Sequence, residues 1–351
     1  MYSIRETRWR WGVLCAVVLL MGTISTASAQ TEEATSVAEE LAGALRHYTN
    51  LEFDQGITTA RSLLSRADLT AQDSVAIYEV LSILTYAKGE EFLQKALGYL
   101  QKISHVGPCV IHLPRELWPA ELRDKWYGIL KANDQLICPD NSQSNVKTIA
   151  IMEFDNFSIG KYAEELASLG KGLADFFQHD FAKISTMRVV ERDKIDYLLD
   201  ELKLQQSGAV DQATAVKAGK MLGAQFIVFG SITQLDKNNT RVLVRVVSVE
   251  TSEIIASVDK EGKPDYCKIE KGLVEELAKA LEVDVSDDEK ELIKKGGTDS
   301  YDATNYYAKG LEYMDRYDYS KAYEFFKKAY ELDPEFAEAK RKMEIYEPLA
   351  A

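Results

Sequence analysis

The residue types that could bind a metal are few and lie far apart in this sequence. Its four histidines are dispersed, at His47, His105, His112 and His179. His105 and His112 are close to each other, but no H-E-x-x-H motif and no cluster of cysteine with histidine accompanies them. A zinc site needs three or four such ligands at defined spacings. We therefore predict no metal site.

Motifs for phosphate binding and nucleophilic catalysis also fail on their context. The Gly-Lys-Gly run at residues 170–172 lies inside a helical pattern, whereas a phosphate cradle joins a strand to a helix. The Gly-Lys pair at residues 219–220 is followed by Met221, where a P-loop requires serine or threonine. No G-x-S-x-G elbow is present. Pairs of adjacent carboxylates do not face each other across a cleft, and we interpret them as solvated surface: residues 164–165, 275–276 and 287–288. The sequence predicts neither an enzyme nor a bound cofactor.

Composition restricts the partners of this chain. Its 351 residues exceed one typical domain, and its hydrophobic content of 46% is ample for packed cores. The formal net charge of −14 argues against binding to nucleic acid, which requires basic surface, and disfavours adhesion to anionic lipid. We therefore expect protein partners.

The first 29 residues have the three parts of a secretory signal peptide. Basic residues Arg5, Arg8 and Arg10 precede an apolar run at residues 12–24, and a cleavage site follows between Ala29 and Gln30. The rival interpretation is a membrane anchor, but this run spans only about 20 Å as a helix, against a hydrocarbon core of about 30 Å. We expect a processed, soluble protein in the periplasm, with no transmembrane span after cleavage.

Cysteine use is compatible with an oxidising compartment. Cys109 and Cys138 could close a loop, and such a bond would contribute roughly 3–4 kcal/mol. Three independent buried thiols, those of Cys109, Cys138 and Cys267, are an equally good interpretation. Cys267 lies in an amphipathic pattern and is expected to be a small core residue.

Residues 30–140 have the periodicity of paired amphipathic helices. Predicted helices span 35–49, 55–65, 74–87, 91–103 and 120–131. Short turns and small residues such as Gly56 and Ala96 are typical of degenerate tetratricopeptide (TPR) units, although a plain helical bundle fits the pattern too. The polar stretch 141–145 is predicted to be a linker.

Residues 146–283 alternate between strand and helix patterns and predict a mixed sheet flanked by helices. An apolar strand at 149–154 is followed by a long helix at 166–184, a short strand at 187–190 and helices at 193–204 and 212–222. Three strands then follow at short intervals, and a helix at 266–281 closes the domain. The turns at 236–239 and 250–252 are short enough for antiparallel hairpins.

This αβ domain resembles the CsgG-type family. The resemblance rests on the blocks IAIMEFDNFS, GKGLADFFQHDFAK, MRVVERDKIDYLLDELKLQQSGAVDQATAVKAGKMLGAQFIVFGSITQL and VRVVSVETSEII. The family supplies the periplasmic domain of the curli secretion channel and of many envelope proteins. Ser252 departs from the family pattern, which commonly has glycine at this hairpin turn; we expect the turn to tolerate it.

The C-terminal residues 302–347 carry a clearer repeat, preceded by a predicted helical linker at 284–301. Lys309 departs from the pattern where leucine is usual, but residues on the signature positions of one TPR are Tyr306, Gly310, Tyr313, Ala322, Phe326, Ala329 and Pro334. Tyr306 and Tyr313 are predicted to fill the core of the hairpin. A single repeat cannot bury its own face. It must dock on the central domain, on the N-terminal helices or on another subunit.

The sequence thus favours a multidomain α+β envelope protein that works by protein–protein binding as an assembly or scaffold factor and that can form a homo-oligomer. The resemblance also implies an alternative, a subunit of an outer-membrane pore of the curli-channel type. Membrane hairpins of such channels need strands of about 9–11 residues, and the connections here are much shorter. A hydrolase has no positive support.

Overall fold

The computed structural model describes residues 36–109, 118–136, 146–201 and 212–350. The chain divides into two compact units, Met1–Gln135 and Leu136–Ala351. The predicted signal peptide, with Ala29 and Gln30, lies outside the described residues. Within them, no helix has both the length and the apolar character needed to cross a membrane.

The first unit is helical. Ser36 starts α1 with a capping box, in which the side chains of Ser36 and Glu39 each accept a hydrogen bond from the other residue's backbone N–H. Each helix packs on the next, and α3 is the most enclosed, with Val75, Ile77, Val80 fully buried. The described helices are α1 (Val37–Thr49), α2 (Phe53–Leu63), α3 (Ala71–Tyr86), α4 (Leu93–Val106) and α5 (Ala120–Ala132), with a 3₁₀ turn at Glu90–Phe92.

The second unit is built on a mixed sheet, as predicted. Its strands are β1 (Lys147–Ile151), β2 (Asp155–Asn156), β3 (Met187–Val190), β4 (Phe226–Asp236), β5 (Asn239–Ser248) and β6 (Ile254–Gly262). The order is β3-β1-β4-β5-β6, and β2 pairs with β4 beyond the end of β1. The pairs β1–β3, β1–β4 and β2–β4 are parallel, whereas β4–β5–β6 form the antiparallel hairpins that the short turns predict.

Helices cover the two sides of the sheet unequally. They are α6 (Tyr162–Glu165), α7 (Leu169–Phe181), α8 (Arg192–Glu201), α9 (Gln212–Leu222) and α10 (Tyr266–Ala280). Helices α7 and α10 lie on one side, against strands that include β1, β4, β5 and β6. Helices α8 and α9 lie against β1 and β4 and share a core with Ala150, Met152 and Ile227. Cys267 is buried in α10, as expected for a small core residue.

The end of β1 and the start of α7 differ from the limits that the sequence predicts. The strand predicted to run to Phe154 ends at Ile151, and the helix predicted to begin at residue 166 begins at Leu169, after the short helix α6. Phe154 leaves the strand because its ring occupies the space above Gly230, where a Cβ would lie 2.2 Å from the ring. Its backbone N–H donates to Gly170 O at 3.3 Å, and a Cβ on Gly170 would collide with Phe154 O.

The C-terminal helices dock on α7, which is one of the three positions that the sequence left open. They are α11 (Asp287–Lys294), α12 (Tyr301–Asp315), α13 (Tyr319–Leu332) and α14 (Ala337–Tyr346), followed by a 3₁₀ turn at Glu347–Leu349. The rings of Phe176 and Tyr307 stack with centroids 5.5 Å apart, and Tyr307 contacts Phe336 at 4.9 Å. Gly172 lets α7 and α12 approach, since a Cβ there would lie 2.9 Å from Ala308 Cβ.

Candidate interaction surface

One side of the sheet is exposed where helices α8 and α9 end. Side chains alternate along a strand, so the register assigns each residue to a side. Val242, Val244 and Val246 of β5 point to the side of α7 and α10 and are fully buried. The opposite side, which we call the open face, is half-buried or exposed and is formed by Asp155, Phe157, Ile159, Phe229, Ser231, Thr233, Leu235, Arg241, Leu243, Arg245, Ser257, Asp259 and Glu261.

Three large apolar side chains form the rim of the open face. The backbone N–H of Phe157 donates to Ile232 O at 2.8 Å, and that of Ile159 donates to Gln234 O at 3.3 Å. These bonds continue the β2–β4 ladder, so Ile159 lies beside Leu235. Phe157, Ile159 and Leu235 are 58%, 58% and 56% exposed. Scattered apolar residues are ordinary on a protein surface, but contiguous ones mark binding sites.

Charged groups of both signs also lie on the open face. Arg241 Nε lies 3.0 Å from Asp259 Oδ2 and 3.4 Å from Glu261 Oε1 on the neighbouring strand. Burial raises the pKa of Asp155 above its usual range, and the positive charge of Arg245 opposes that shift. Protein interfaces combine apolar and charged surface in this way.

Strand β6 is an edge of the sheet, because it pairs with β5 alone among the described strands. Unpaired backbone groups on an edge can accept a further strand, and charged side chains normally discourage this. Three consecutive residues of β6 are charged, and Lys260 Nζ is held by Glu276 Oε1 of α10 at 2.5 Å. We therefore assign the binding potential of this region to the open face and not to its edge.

Ion pairs of Asp315 hold α12 against Lys171 of α7 and Arg192 at the start of α8. Arg192 makes two hydrogen bonds to Asp315, at 2.8 and 2.7 Å, and Lys171 also donates to Asp315. Burial alone would raise the pKa of Asp315, but the charges of Arg192 and Lys171 outweigh it and hold this pKa well below its usual range. Tyr307 Oη donates to Asp175 at 2.7 Å in the same contact.

A second group of charges joins α7, α10 and α14. Asp180 accepts from Lys183 at 2.7 Å and from Lys271 at 2.9 Å. Beside it, Glu270 is fully buried, and burial together with the charge of Asp180 raises its pKa well above the usual range.

The last of these contacts is between α7 and α14, where His179 Nε2 lies 3.0 Å from Glu338 Oε1. Burial would raise the pKa of Glu338, but His179 and the backbone N–H of Gly297 lower it to about 2. Asp315 and Asp180 are paired with arginine or lysine side chains, Glu338 lies against His179, and Glu270 lies beside Asp180. No described residues form a group of three or more ligands that could hold a metal ion.

The predicted signature residues fall into two sets. Gly310, Ala322, Phe326 and Ala329 are buried between α12 and α13, and a Cβ on Gly310 would meet the Phe326 ring at 2.5 Å. Pro334 follows the end of α13 and is exposed.

Tyr306 and Tyr313 were expected in the core, and this expectation is wrong: both are half-buried, and the fully buried tyrosine is Tyr307. The reason is that the contact with α7 determines which side of α12 is enclosed. That these helices form a TPR repeat stays a prediction.

The predicted disulfide is only partly within the described residues. Cys109 is engaged in a disulfide. Its expected partner, Cys138, lies outside the described residues, so the pairing stays a prediction.

The contacts that sequence reasoning missed are those of Lys171, Arg192 and Asp315. The 170–172 run was correctly placed in a helix, but nothing in its sequence indicates that its lysine reaches α12.

Comparison with known proteins finds a family model that matches the centre of the chain. Residues 135–242 match the family described as curli production assembly/transport component CsgG. This match supports the CsgG-type resemblance, and it includes the apolar rim of the open face. No curated protein matches the chain.

Among solved structures, the chain is similar to the LpoB C-terminal domain from Salmonella enterica, with 15% identity over 39% of this chain and 94% of that one at a TM-score of 0.28. It is similar to TolB from Acinetobacter baumannii, with 12% identity over 40% of this chain and 29% of that one at a TM-score of 0.27. It is also similar to the PelC dodecamer from Paraburkholderia phytofirmans, with 12% identity over 42% and 96% at a TM-score of 0.26.

Proposed function

We propose that this protein is a non-enzymatic assembly or scaffold factor of the cell envelope, exported to the periplasm, and that it works by binding proteins. The observation that carries the proposal is the apolar rim of the open face. Phe157, Ile159 and Leu235 are more than half exposed, lie side by side, and all fall within the stretch that matches the CsgG family. Exposing such a cluster is unfavourable in water unless a partner covers it.

The occupant that we propose for the open face is a second copy of the chain or an envelope protein in a curli-like secretion or assembly system. The family's description names assembly and transport. A subunit of an outer-membrane secretion pore is therefore the alternative. In the described residues, the turn between β4 and β5 and the one between β5 and β6 are a few residues long. Short turns favour the scaffold over the pore.

The proposal is tested by the mass of the protein from Gln30 onward, measured by light scattering with and without mild detergent. We expect a defined oligomer, or a monomer that captures a specific envelope partner by cross-linking. The double variant Phe157→Ser/Leu235→Ser should abolish that association. Leu292→Ser is the matched control, because Leu292 of α11 is 55% exposed but lies outside the open face.

Two outcomes would contradict this proposal. A strict monomer that cross-links to nothing in envelope extracts would remove the assembly role. An oligomer that forms only in detergent and is unaffected by the double variant would favour the pore alternative.

A further inference from the structure

The hairpin of α12 and α13 carries a row of rings that its buried core does not use. Tyr306, Phe325 and Tyr313 are half-buried. Phe325 stacks with Tyr313 at 5.2 Å and 7° and with Tyr306 at 6.1 Å and 27°. We call these three residues the aromatic row. Tyr306 and Tyr313 are seven residues apart and therefore share one side of α12, and Phe325 of α13 stacks on both.

Basic side chains lie over every ring of the aromatic row. Lys309 Nζ is 6.0 Å from the centroid of Tyr306, and Lys328 Nζ is 5.0 Å from that of Phe325. Tyr313 has two cations near it, Lys321 at 5.1 Å and Arg316 at 5.8 Å. These distances are within the range of cation–π attraction, which holds a cation in place without neutralising its charge.

Two of these cations are already compensated by carboxylates. Arg316 donates to Glu312, and Lys321 Nζ lies 2.6 Å from Asp318 Oδ2. The other two, Lys309 and Lys328, form no ion pair with any residue that the structure describes.

Lys328 has a carboxylate at the favourable spacing of four residues, Glu324, but its ammonium group lies over Phe325 instead.

We propose that the aromatic row, with Lys309 and Lys328, is a docking site for an acidic segment of a partner protein. The inference rests on the proposed function, in that the chain acts by binding proteins, and it adds the chemistry of one partner. Carboxylates of the segment pair with the two uncompensated lysines, and its methylene groups lie on the rings between them. A protein segment is favoured over an anionic membrane because the proposed function is the binding of proteins.

The test is fluorescence anisotropy of labelled twelve-residue peptides, added to the protein purified after expression of the full chain. A Glu-Ser repeat is the probe, and Gln-Ser and Lys-Ser repeats of the same length are its controls. We expect the Glu-Ser peptide to bind and its affinity to fall as NaCl rises, since exposed charges are screened. The double variant Lys309→Glu/Lys328→Glu should weaken binding roughly tenfold.

A charge-matched variant distinguishes an effect of this site from an effect of the protein's net charge. Lys263→Glu/Lys268→Glu makes the same change at two exposed lysines outside the row and should leave binding unchanged. Tyr306→Leu keeps an apolar side chain, removes the ring beneath Lys309, and should weaken binding a few-fold. Circular dichroism of each variant verifies folding.

The proposal is overturned if the Gln-Ser peptide binds as tightly as the Glu-Ser peptide, or if both double variants weaken binding equally. It is also overturned if vesicles containing anionic phospholipid bind at these lysines and the peptide does not. Light scattering keeps the two proposals apart. Lys309→Glu/Lys328→Glu should leave the mass of the protein unchanged, whereas the variants of the open face should change it.

Discussion

Two helical parts of this chain, predicted from similar sequence patterns, bury their apolar surfaces in different ways. Helices α1 to α5 bury theirs on one another, and α3 is enclosed by its neighbours. Helices α12 to α14 use a helix from outside their own group: Tyr307 and Ala308 of α12 contact α7 of the sheet domain. A single hairpin exposes too much apolar surface to be stable alone, so it needs a partner helix, and the sheet domain supplies one.

The chemistry of the two sets of contacts differs as well. The first unit achieves close approach by small residues, since a Cβ on Gly56 would lie 2.8 Å from Ala44 O and 2.9 Å from Leu84. The C-terminal helices combine such an approach at Gly172 with buried ion pairs that involve Asp315 and Glu338. Buried ion pairs need their full geometry, because removing one partner leaves the other charge desolvated and unpaired.

Tryptophan fluorescence allows the two units to be followed separately. The chain has four tryptophans, and two of them, Trp9 and Trp11, are in the predicted signal peptide. The other two, Trp118 and Trp126, are buried in the first unit with centroids 6.2 Å apart. In protein that begins at Gln30, fluorescence therefore reports the first unit alone, whereas far-ultraviolet circular dichroism reports both.

The largest effect is expected from Asp315→Asn. This change leaves Arg192 and Lys171 without their carboxylate in a buried contact, and we expect the second unit to lose about 3 kcal/mol of unfolding free energy. Urea titration should show an earlier transition by circular dichroism and an unchanged one by fluorescence. Lys294→Gln removes one partner of an exposed ion pair and is the control, with almost no expected effect. A shift of the fluorescence transition in Asp315→Asn would contradict the independent unfolding of the two units.

Two matched glycine variants should each shift the unfolding transition that one of the two probes reports. Gly172→Val places a branched side chain against Ala308 and should cost the second unit about 2 kcal/mol through overpacking. Gly56→Val does the same against Ala44 and Leu84 in the first unit. We expect the first variant to move only the circular dichroism transition, and the second to move the fluorescence transition. If both variants moved both transitions, the comparison would be wrong.

The buried Glu270 should make the second unit sensitive to pH. Its pKa is raised well above the ordinary 4.5, so the native protein keeps a proton that the unfolded chain releases. Stability should therefore fall as pH rises from about 4.5 through the raised pKa, at up to about 1.4 kcal/mol per pH unit. Glu270→Gln resembles the protonated form and should remove this loss.

The control for that experiment lies in the same helix. Glu275 is exposed, and its hydrogen bond with Lys279 lowers its pKa. In Glu275→Gln the stability of the second unit should therefore still fall as pH rises. Urea titrations from pH 5 to pH 8 compare the three proteins. Identical pH profiles for wild type and Glu270→Gln would show that the carboxyl of Glu270 is not the titrating group.

Local sequence signals predicted most of the sheet domain. The hairpins β4–β5–β6 follow from alternating apolar residues and short turns, and helix α9 was predicted with its observed limits. Phe154 was misplaced, because its departure from the strand depends on Gly230, which is distant in sequence.

The contacts of the C-terminal helices were not predictable for a related reason. Asp315 and Lys171 are 144 residues apart, and Asp315 and Arg192 are 123 apart, so no periodicity relates them. The repeat signature placed Tyr306 and Tyr313 in the core because it describes a hairpin stacked on other repeats. In this chain the helix that packs against α12 is α7, and the enclosed side of α12 carries Tyr307.

The smallest expected effect concerns Ser252, which the sequence marked as a departure from glycine. Its φ of 62° lies in the left-handed region, where a residue with a Cβ is strained. Ser252→Gly should relieve this strain and stabilise the second unit by about 0.5 kcal/mol, net of the entropy that glycine adds to the unfolded chain. Ser257→Gly, at an exposed position within β6, should have the opposite sign because glycine weakens a strand. Both changes should move the circular dichroism transition alone. Ser252→Gly would then show that the two units unfold independently when the second unit is stabilised, as Asp315→Asn does when it is destabilised.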